Sequence, residues 1–162
     1  MADLEARINA LEAKVQELQD RTDIQNLRFS YHIAVNEKKP EMIPELFAET
    51  GEIDFAHLGK AQGKAKVAEF YRQALSDLVP FVKQFIHNHV ITITGNIGSG
   101  ISYLEAKPIF NGESFLVAAK FDDEYVRENG KWKFRKMTLV PYFMVPLREG
   151  WHGPNKIQMV RK

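Results

Sequence analysis

The stretch from Gln84 to Val145 constrains the fold more than any other part of the chain. It reads as four extended segments separated by turn signals. QFIHNHVITIT is ended by GNIG, SGISYLEAKPIF by Asn111-Gly112, and ESFLVAAKFDDEYVR by Glu128-Asn129-Gly130; KWKFRKMTLVPYFMV closes the series. Asn-Gly is a strong hairpin signal, because a two-residue primed turn needs positive φ and these residues adopt it at least cost. Strands joined this way run antiparallel. The second half of the chain is therefore expected to form a strongly curved antiparallel sheet.

The first half reads as mostly helical. Leu4, Ile8, Leu11, Val15 and Leu18 repeat at intervals of four and three, a heptad seam on an otherwise charged helix. So narrow a stripe suits packing along the helix's own domain and contact with a neighbouring subunit equally. The seam stops after Leu18, and Thr22 with Gln25 has the form of a capping box. A second helix is expected there, with Ile24, Leu27, Tyr31 and Ala34 on one face and Phe29 and Ile33 alongside. A short third helix is expected over Glu41 to Glu49, a strand over Glu52 to His57, and a helix from Lys64 to Leu78, stopped by Pro80. The tail, Pro146 to Lys162, has no clear period, and its Trp151 and His152 suggest a segment folded over the body.

This order is α+β, with the helices packed on the concave face of a cone-shaped, curved antiparallel sheet. One domain is expected over residues 1–162, comprising an amphipathic helix at 1–19, the body, and a tail at 146–162. Composition narrows the function classes. There are 22 basic and 21 acidic residues, so nothing attracts nucleic acid or an anionic membrane. The chain has no cysteine, which excludes disulfides, thiolate catalysis and cysteine-ligated zinc. No apolar run is long enough to span a membrane, and the charged start MADLEARINALEAK is no signal peptide. A cytoplasmic protein is the expectation.

Four segments follow in order, DIQNLRFSYHIAVN, HNHVITITG, YLEAKPIF and AAKFDDEYVRENGKWKF, and carry a resemblance that covers roughly Asp20 to Phe143. Together they resemble the SnoaL-like branch of the nuclear transport factor 2-like superfamily, which includes hexachlorocyclohexane dehydrochlorinase, bile-acid 7α-dehydratase and scytalone dehydratase. The resemblance implies a cone-shaped fold, cofactor-independent chemistry on a small apolar, aromatic or polycyclic molecule, and a homodimer or homotrimer. The lyases of this branch use a histidine base on the first long strand, held by an aspartate at the end of the second helix. Those positions are Gln84 and Asn36 here, neutral amides that can orient a carbonyl or hydroxyl but cannot take a proton. Acidic and basic family positions fall on Ala106, Met137 and near Pro141, so the cone is expected to lack charged groups. Tyr31 matches a family catalytic tyrosine and would act as a hydrogen-bond donor at neutral pH.

His87 and His89 are the remaining candidates for a base. Regular alternation puts Gln84 and Asn88 on one side of the strand, with Phe85, His87, His89 and Ile91 on the other, unless a bulge intervenes. The two histidines read as a surface pair, as a general base, or as two ligands of a metal for which no third ligand stands at a telling spacing. No metal and no cofactor is expected. Phe55, His57, Asn88, Tyr103, Ala106, Met137 and Tyr142 are candidate pocket lining, and the acidic run Asp122-Asp123-Glu124 is expected to face water. Two functions follow. One is a lyase or isomerase of dehydratase type, with Tyr31 as donor, Asn36 and Gln84 orienting, and His87 or His89 as base. The other is a non-catalytic small-molecule binding protein of the same fold.

Overall fold

The computed structural model describes residues 2–150. Seven strands form one sheet: β1 Phe47–Asp54, β2 Lys60–Gln62, β3 Phe81–Ile86, β4 Val90–Thr94, β5 Ile97–Phe110, β6 Glu113–Glu128 and β7 Lys131–Pro146. Their order is β2-β1-β7-β6-β5-β3, with β4 also paired to β5. Both Asn-Gly pairs sit where the hairpins turn. Asn111 and Gly112 have φ of 50° and 77°, and Asn129 and Gly130 have 50° and 76°, as a primed turn requires. The sheet departs from the expected antiparallel pattern once, because β1 lies parallel to β7. The β6–β7 register shifts at Ala118/Ala119 and again at Glu124/Tyr125. Such bulges bend a long strand, and here they help curve the sheet around the helix.

That helix is single. α1 runs unbroken over Ala2–Asn36, 35 residues, where two helices were expected. Thr22 does not cap a new helix; its hydroxyl donates to the Leu18 carbonyl at 3.0 Å, back into the preceding turn. The expected third helix is replaced by two 3₁₀ turns, Pro40–Met42 and Pro44–Leu46. Two prolines four residues apart each remove a backbone donor, so no α-helical ladder can form between them. β1 consequently starts at Phe47 and ends at Asp54, leaving His57 in the 3₁₀ turn Ala56–Leu58. α2, Lys64–Gln73, continues into a wider π-helical turn, Ala74–Leu78.

The second half of α1 fills the cone. Ile24, Leu27, Tyr31, Ala34 and Val35 are buried against the inner face of β5, β6 and β7, where Leu104, Ala106, Phe121, Phe134 and Met137 point inward. Phe47, Phe55, Val67 and Tyr71 close the other end, with rings meeting edge to face, as for Phe55 and Tyr71 at 6.1 Å. Each such side chain contributes about 1.5–3 kcal/mol of burial. Phe29 and Ile33, expected alongside the inward face, lie on the outer side of α1 and are exposed. Among the described residues no helix is long and apolar enough to cross a membrane. Trp151 and His152 lie outside the described residues.

Candidate active site

Arg28, His32 and Asn36 recur every four residues along α1, on the same side as Ile24, Tyr31 and Val35, so all three enter the cone. Asn36 forms a two-point clasp to β3. Its amide nitrogen donates to the Gln84 carbonyl at 2.9 Å, and its oxygen accepts from the Gln84 backbone N–H at 2.7 Å. One turn earlier, His32 Nδ1 lies 3.1 Å from Gln84 Oε1. A carbonyl oxygen only accepts, so Nδ1 carries the proton and Nε2 is left as a bare lone pair. Nε2 is buried and has no partner within the protein.

The chain between β3 and β4 settles the histidine pair. Inward positions are Val82, Gln84 and Ile86 in β3, then His89 at the end of the interruption and Ile91 and Ile93 in β4. The strand is interrupted at 87–89, which reverses the parity. His89 therefore shares the interior with Gln84, whereas His87 and Asn88 face solvent. Asn88 accepts from the Tyr103 N–H at 3.1 Å, so its side chain braces the interruption from outside. His87 and His89 do not converge, and among the described residues no cluster of three metal-ligating side chains occurs.

His89 ends a chain of polar groups. The fully buried Arg28 guanidinium pairs with Asp123. Tyr125 donates its hydroxyl to Asp123 Oδ2 at 2.8 Å, and His89 Nε2 lies 2.9 Å from the Tyr125 oxygen. With the tyrosine proton committed to the carboxylate, His89 Nε2–H donates and Nδ1 is bare; it too is buried and unpartnered. Gly100 permits this approach, since a Cβ there would sit 2.8 Å from the Tyr125 hydroxyl and 2.9 Å from His89 Nε2. The guanidinium is stacked within 4.3 Å of the Phe121 ring centroid and 4.7 Å of that of Phe134. Among the described residues, Arg28 Nε, Asp123 Oδ1 and Ser102 Oγ are the other buried polar atoms without protein partners.

Burial, and then the Arg28 charge, push His32 down to about 3 and His89 down to about 4. Both rings are neutral at pH 7 and able to accept a proton. Burial would lower Arg28 as well, but the adjacent Asp123 carboxylate more than offsets it and the guanidinium stays charged. Burial pushes Tyr31 up to about 12. Its oxygen accepts from Tyr71 at 3.2 Å, leaving the Tyr31 proton available to another acceptor.

The structure thus brings Tyr31, Asn36, Gln84, His89, Phe55, Ala106 and Met137 into the cone or its wall, with Met137 in contact with Arg28 and Tyr71 through its sulfur. It leaves His57, His87 and Asn88 exposed, and puts Tyr103 and Tyr142 on the outer sheet face, where they stack on each other at 6.3 Å. The expectation that the cone lacks charge is overturned by Arg28 and Asp123. Asp123 was expected in water as part of an acidic run, yet it is 3% exposed. The signals that locate these residues are periodicity and parity: Arg28 and His32 follow the helical repeat, and Phe121, Asp123 and Tyr125 alternate on one face.

The SnoaL-like domain matches residues 16–138, which include every group just described except Tyr142. The chain belongs to the SnoaL-like domain family. An uncharacterized protein of Mycobacterium tuberculosis strain H37Rv, Rv2910c, is 24% identical over 123 residues, covering 74% of this chain and 83% of its own. The fold is that of the LinA enzymes. Hexachlorocyclohexane dehydrochlorinase (LinA) type 2 superimposes with a TM-score of 0.79 at 20% identity, over 88% of this chain and 98% of its own. LinA-type3 from Novosphingobium barchaimii LL02 gives 0.78 at 19%, over 87% and 99%. Within this SnoaL-like cone, the helix-borne His32 occupies the partner position to Gln84, one turn before Asn36.

Proposed function

We propose that the protein is a cofactor-independent lyase or isomerase acting on a small, largely apolar cyclic molecule inside the cone. One observation carries this reading: among the described residues, five buried polar atoms without protein partners, Arg28 Nε, His32 Nε2, His89 Nδ1, Ser102 Oγ and Asp123 Oδ1, all belong to side chains of the cone interior. Buried polar groups are nearly always hydrogen-bonded, so orphans concentrated at one place mark where a ligand's polar atoms are expected.

The roles follow from chemistry. His89 is the base, acting through Nδ1, with Tyr125 and Asp123 fixing its ring and tautomer. Arg28 Nε–H and the Tyr31 hydroxyl are donors for a developing oxyanion or leaving oxygen. A histidine held near 4 is a weak base. It suits abstraction from a carbon already acidified by a neighbouring carbonyl, and less well an elimination from an unactivated position. A ligand oxyanion beside Arg28 would offset the charge that depresses both histidines and so raise their basicity as the reaction proceeds. The rings of Tyr31, His32 and Phe121 meet edge to face, with centroids 5.1–5.9 Å apart, and pack against the network.

The test is a panel of small cyclic ketones and of cyclic compounds bearing a hydroxyl or halide β to an acidic C–H, incubated in D₂O and followed by proton NMR. A substrate is expected to gain solvent deuterium or lose its leaving group, and His89→Gln is expected to slow this about 10²- to 10⁴-fold. Compounds that raise the melting temperature but return unexchanged, and bind equally well to His89→Gln, would establish a binding protein instead.

A further inference from the structure

Among the described residues the heptad seam finds no partner within its own chain. Leu4, Ile8, Leu11, Val15 and Leu18 are 62%, 46%, 67%, 64% and 55% exposed. At about 100° of rotation per residue, the seam lies roughly on the opposite side of α1 from Ile24, Arg28, Tyr31 and Val35, which face the sheet. Phe29 and Ile33 prolong it, 46% and 54% exposed, on the same outer side. An apolar ridge thus runs over Leu4 to Leu18 and, after a polar gap at Thr22, Gln25 and Asn26, resumes at Phe29 and Ile33, directed away from the body. A helix end exposed on every side does not hold itself together by propensity alone.

The residue types and charges specify the occupant. In heptad terms Ile8 and Val15 hold a positions, and Leu4, Leu11 and Leu18 hold d positions. β-branched residues at a with leucine at d favour a parallel two-stranded coil. Arg7 falls at g and Glu12 at the e position five residues on, so in a parallel, in-register pair Arg7 of one copy meets Glu12 of the other, twice. An antiparallel pair would instead set g against g and e against e, bringing Arg7 against Lys14 and Glu5 against Glu12, all like charges. Two heptads would be too short to zip as free peptides, but here the helix is already nucleated. Asp20 bonds Trp132 Nε1 at 3.2 Å and Arg21 bonds the Ile91 carbonyl at 2.6 Å, anchoring the helix where it enters the body.

We propose that α1 pairs with α1 of a second copy, in parallel and in register over Leu4 to Leu18, to form a two-stranded coiled coil from which the two cones diverge. Sedimentation velocity of the full chain across a dilution series is the first test. Wild type is expected to dimerise, with Val15→Asp raising the dimer dissociation constant at least about 100-fold while leaving the near-ultraviolet circular dichroism and melting temperature of the body unchanged. A wild type that stays monomeric at about 100 μM, far above a specific dimer's working range, overturns the proposal. So does an assembly whose mass Val15→Asp leaves unaltered. Orientation is read by crosslinking, because the chain has no cysteine of its own. Leu4→Cys is expected to form a disulfide with itself. Failure of that bond, with ready crosslinking between Leu4→Cys and Leu18→Cys in a mixture, means an antiparallel pair and also overturns it. Glu12→Arg should weaken the dimer, and Arg7→Glu added to it should restore it.

Discussion

The two faces of the sheet treat charge in opposite ways. On the outer face Lys107 pairs with Glu105 at 2.9 Å, Lys120 with Asp122 at 2.8 Å and Arg135 with Glu124 at 2.8 Å, all in contact with solvent. On the inner face Arg28 and Asp123 pair with no exposed side-chain surface. Asp122, Asp123 and Glu124 are consecutive, so a single step along β6 separates the two regimes. Exposed pairs contribute about 0–1 kcal/mol each. A buried pair brings little net stability relative to apolar residues of the same size, because desolvation consumes the Coulombic gain, yet breaking it leaves an uncompensated charge. Stability alone therefore does not account for Arg28 and Asp123. The pair is connected through Tyr125 to His89.

The largest expected effect breaks the inner pair. Asp123→Asn should cost about 3–5 kcal/mol in chemical denaturation, because Arg28 is left charged and buried. The double replacement Arg28→Met with Asp123→Leu should recover to within about 1 kcal/mol of wild type. If the double variant is as unstable as the single, the pair is structural and the contrast between the faces fails. Gly100→Ala comes next, at about 1–3 kcal/mol, since its Cβ would collide with both Tyr125 and His89. Wild type is expected to show a His89 Nε2–H proton resonance protected by its bond to Tyr125, and Gly100→Ala to lose it.

The third effect concerns pH. His32 is held at about 3 in the folded chain, against about 6.5 when unfolded. Below pH 6.5 the unfolded chain takes up a proton that the folded one refuses, so stability should fall by about 1.4 kcal/mol per pH unit toward pH 3. His89 adds in the same direction until about 4. Above pH 6.5 neither ring contributes a slope. Thermal melts from pH 7 to pH 4 should show this decline, and His32→Gln should flatten it. The smallest effect is on the outer face, where Asp122→Asn should change stability by less than about 0.5 kcal/mol despite standing next to Asp123.

Much of the fold was legible because it is written in local chemistry. Asn111-Gly112 and Asn129-Gly130 announced two hairpins, since positive φ is a property of the residues themselves. The inward face of α1 followed from the spacing of Ile24, Leu27, Tyr31 and Ala34. The site was less legible. His87 and His89 share a face only if the strand is regular, and the interruption at 87–89 that separates them is set by where β3 and β4 each register on β5. Thr22 and Gln25 form a plausible cap in sequence, but sheet contacts on both sides of them keep the helix continuous. Asp123 was read as solvated because its two neighbours are.

Sequence alone determined the class of fold, the hairpin turns at Asn111-Gly112 and Asn129-Gly130 and the apolar seam of α1, whereas the expected first strand of the run divides into β3 and β4. The features it determined depend on periods of two and 3.6 residues and on the side chains themselves. Only the tertiary structure decided that Arg28 meets Asp123 across 95 residues, that His32 reaches Gln84 across 52, and that His89 turns inward while His87 does not. Burial of a charge or a histidine is tolerated only when a partner arrives from a distant strand. That partner is fixed by sheet register and bulges, which the pattern of any one segment does not contain.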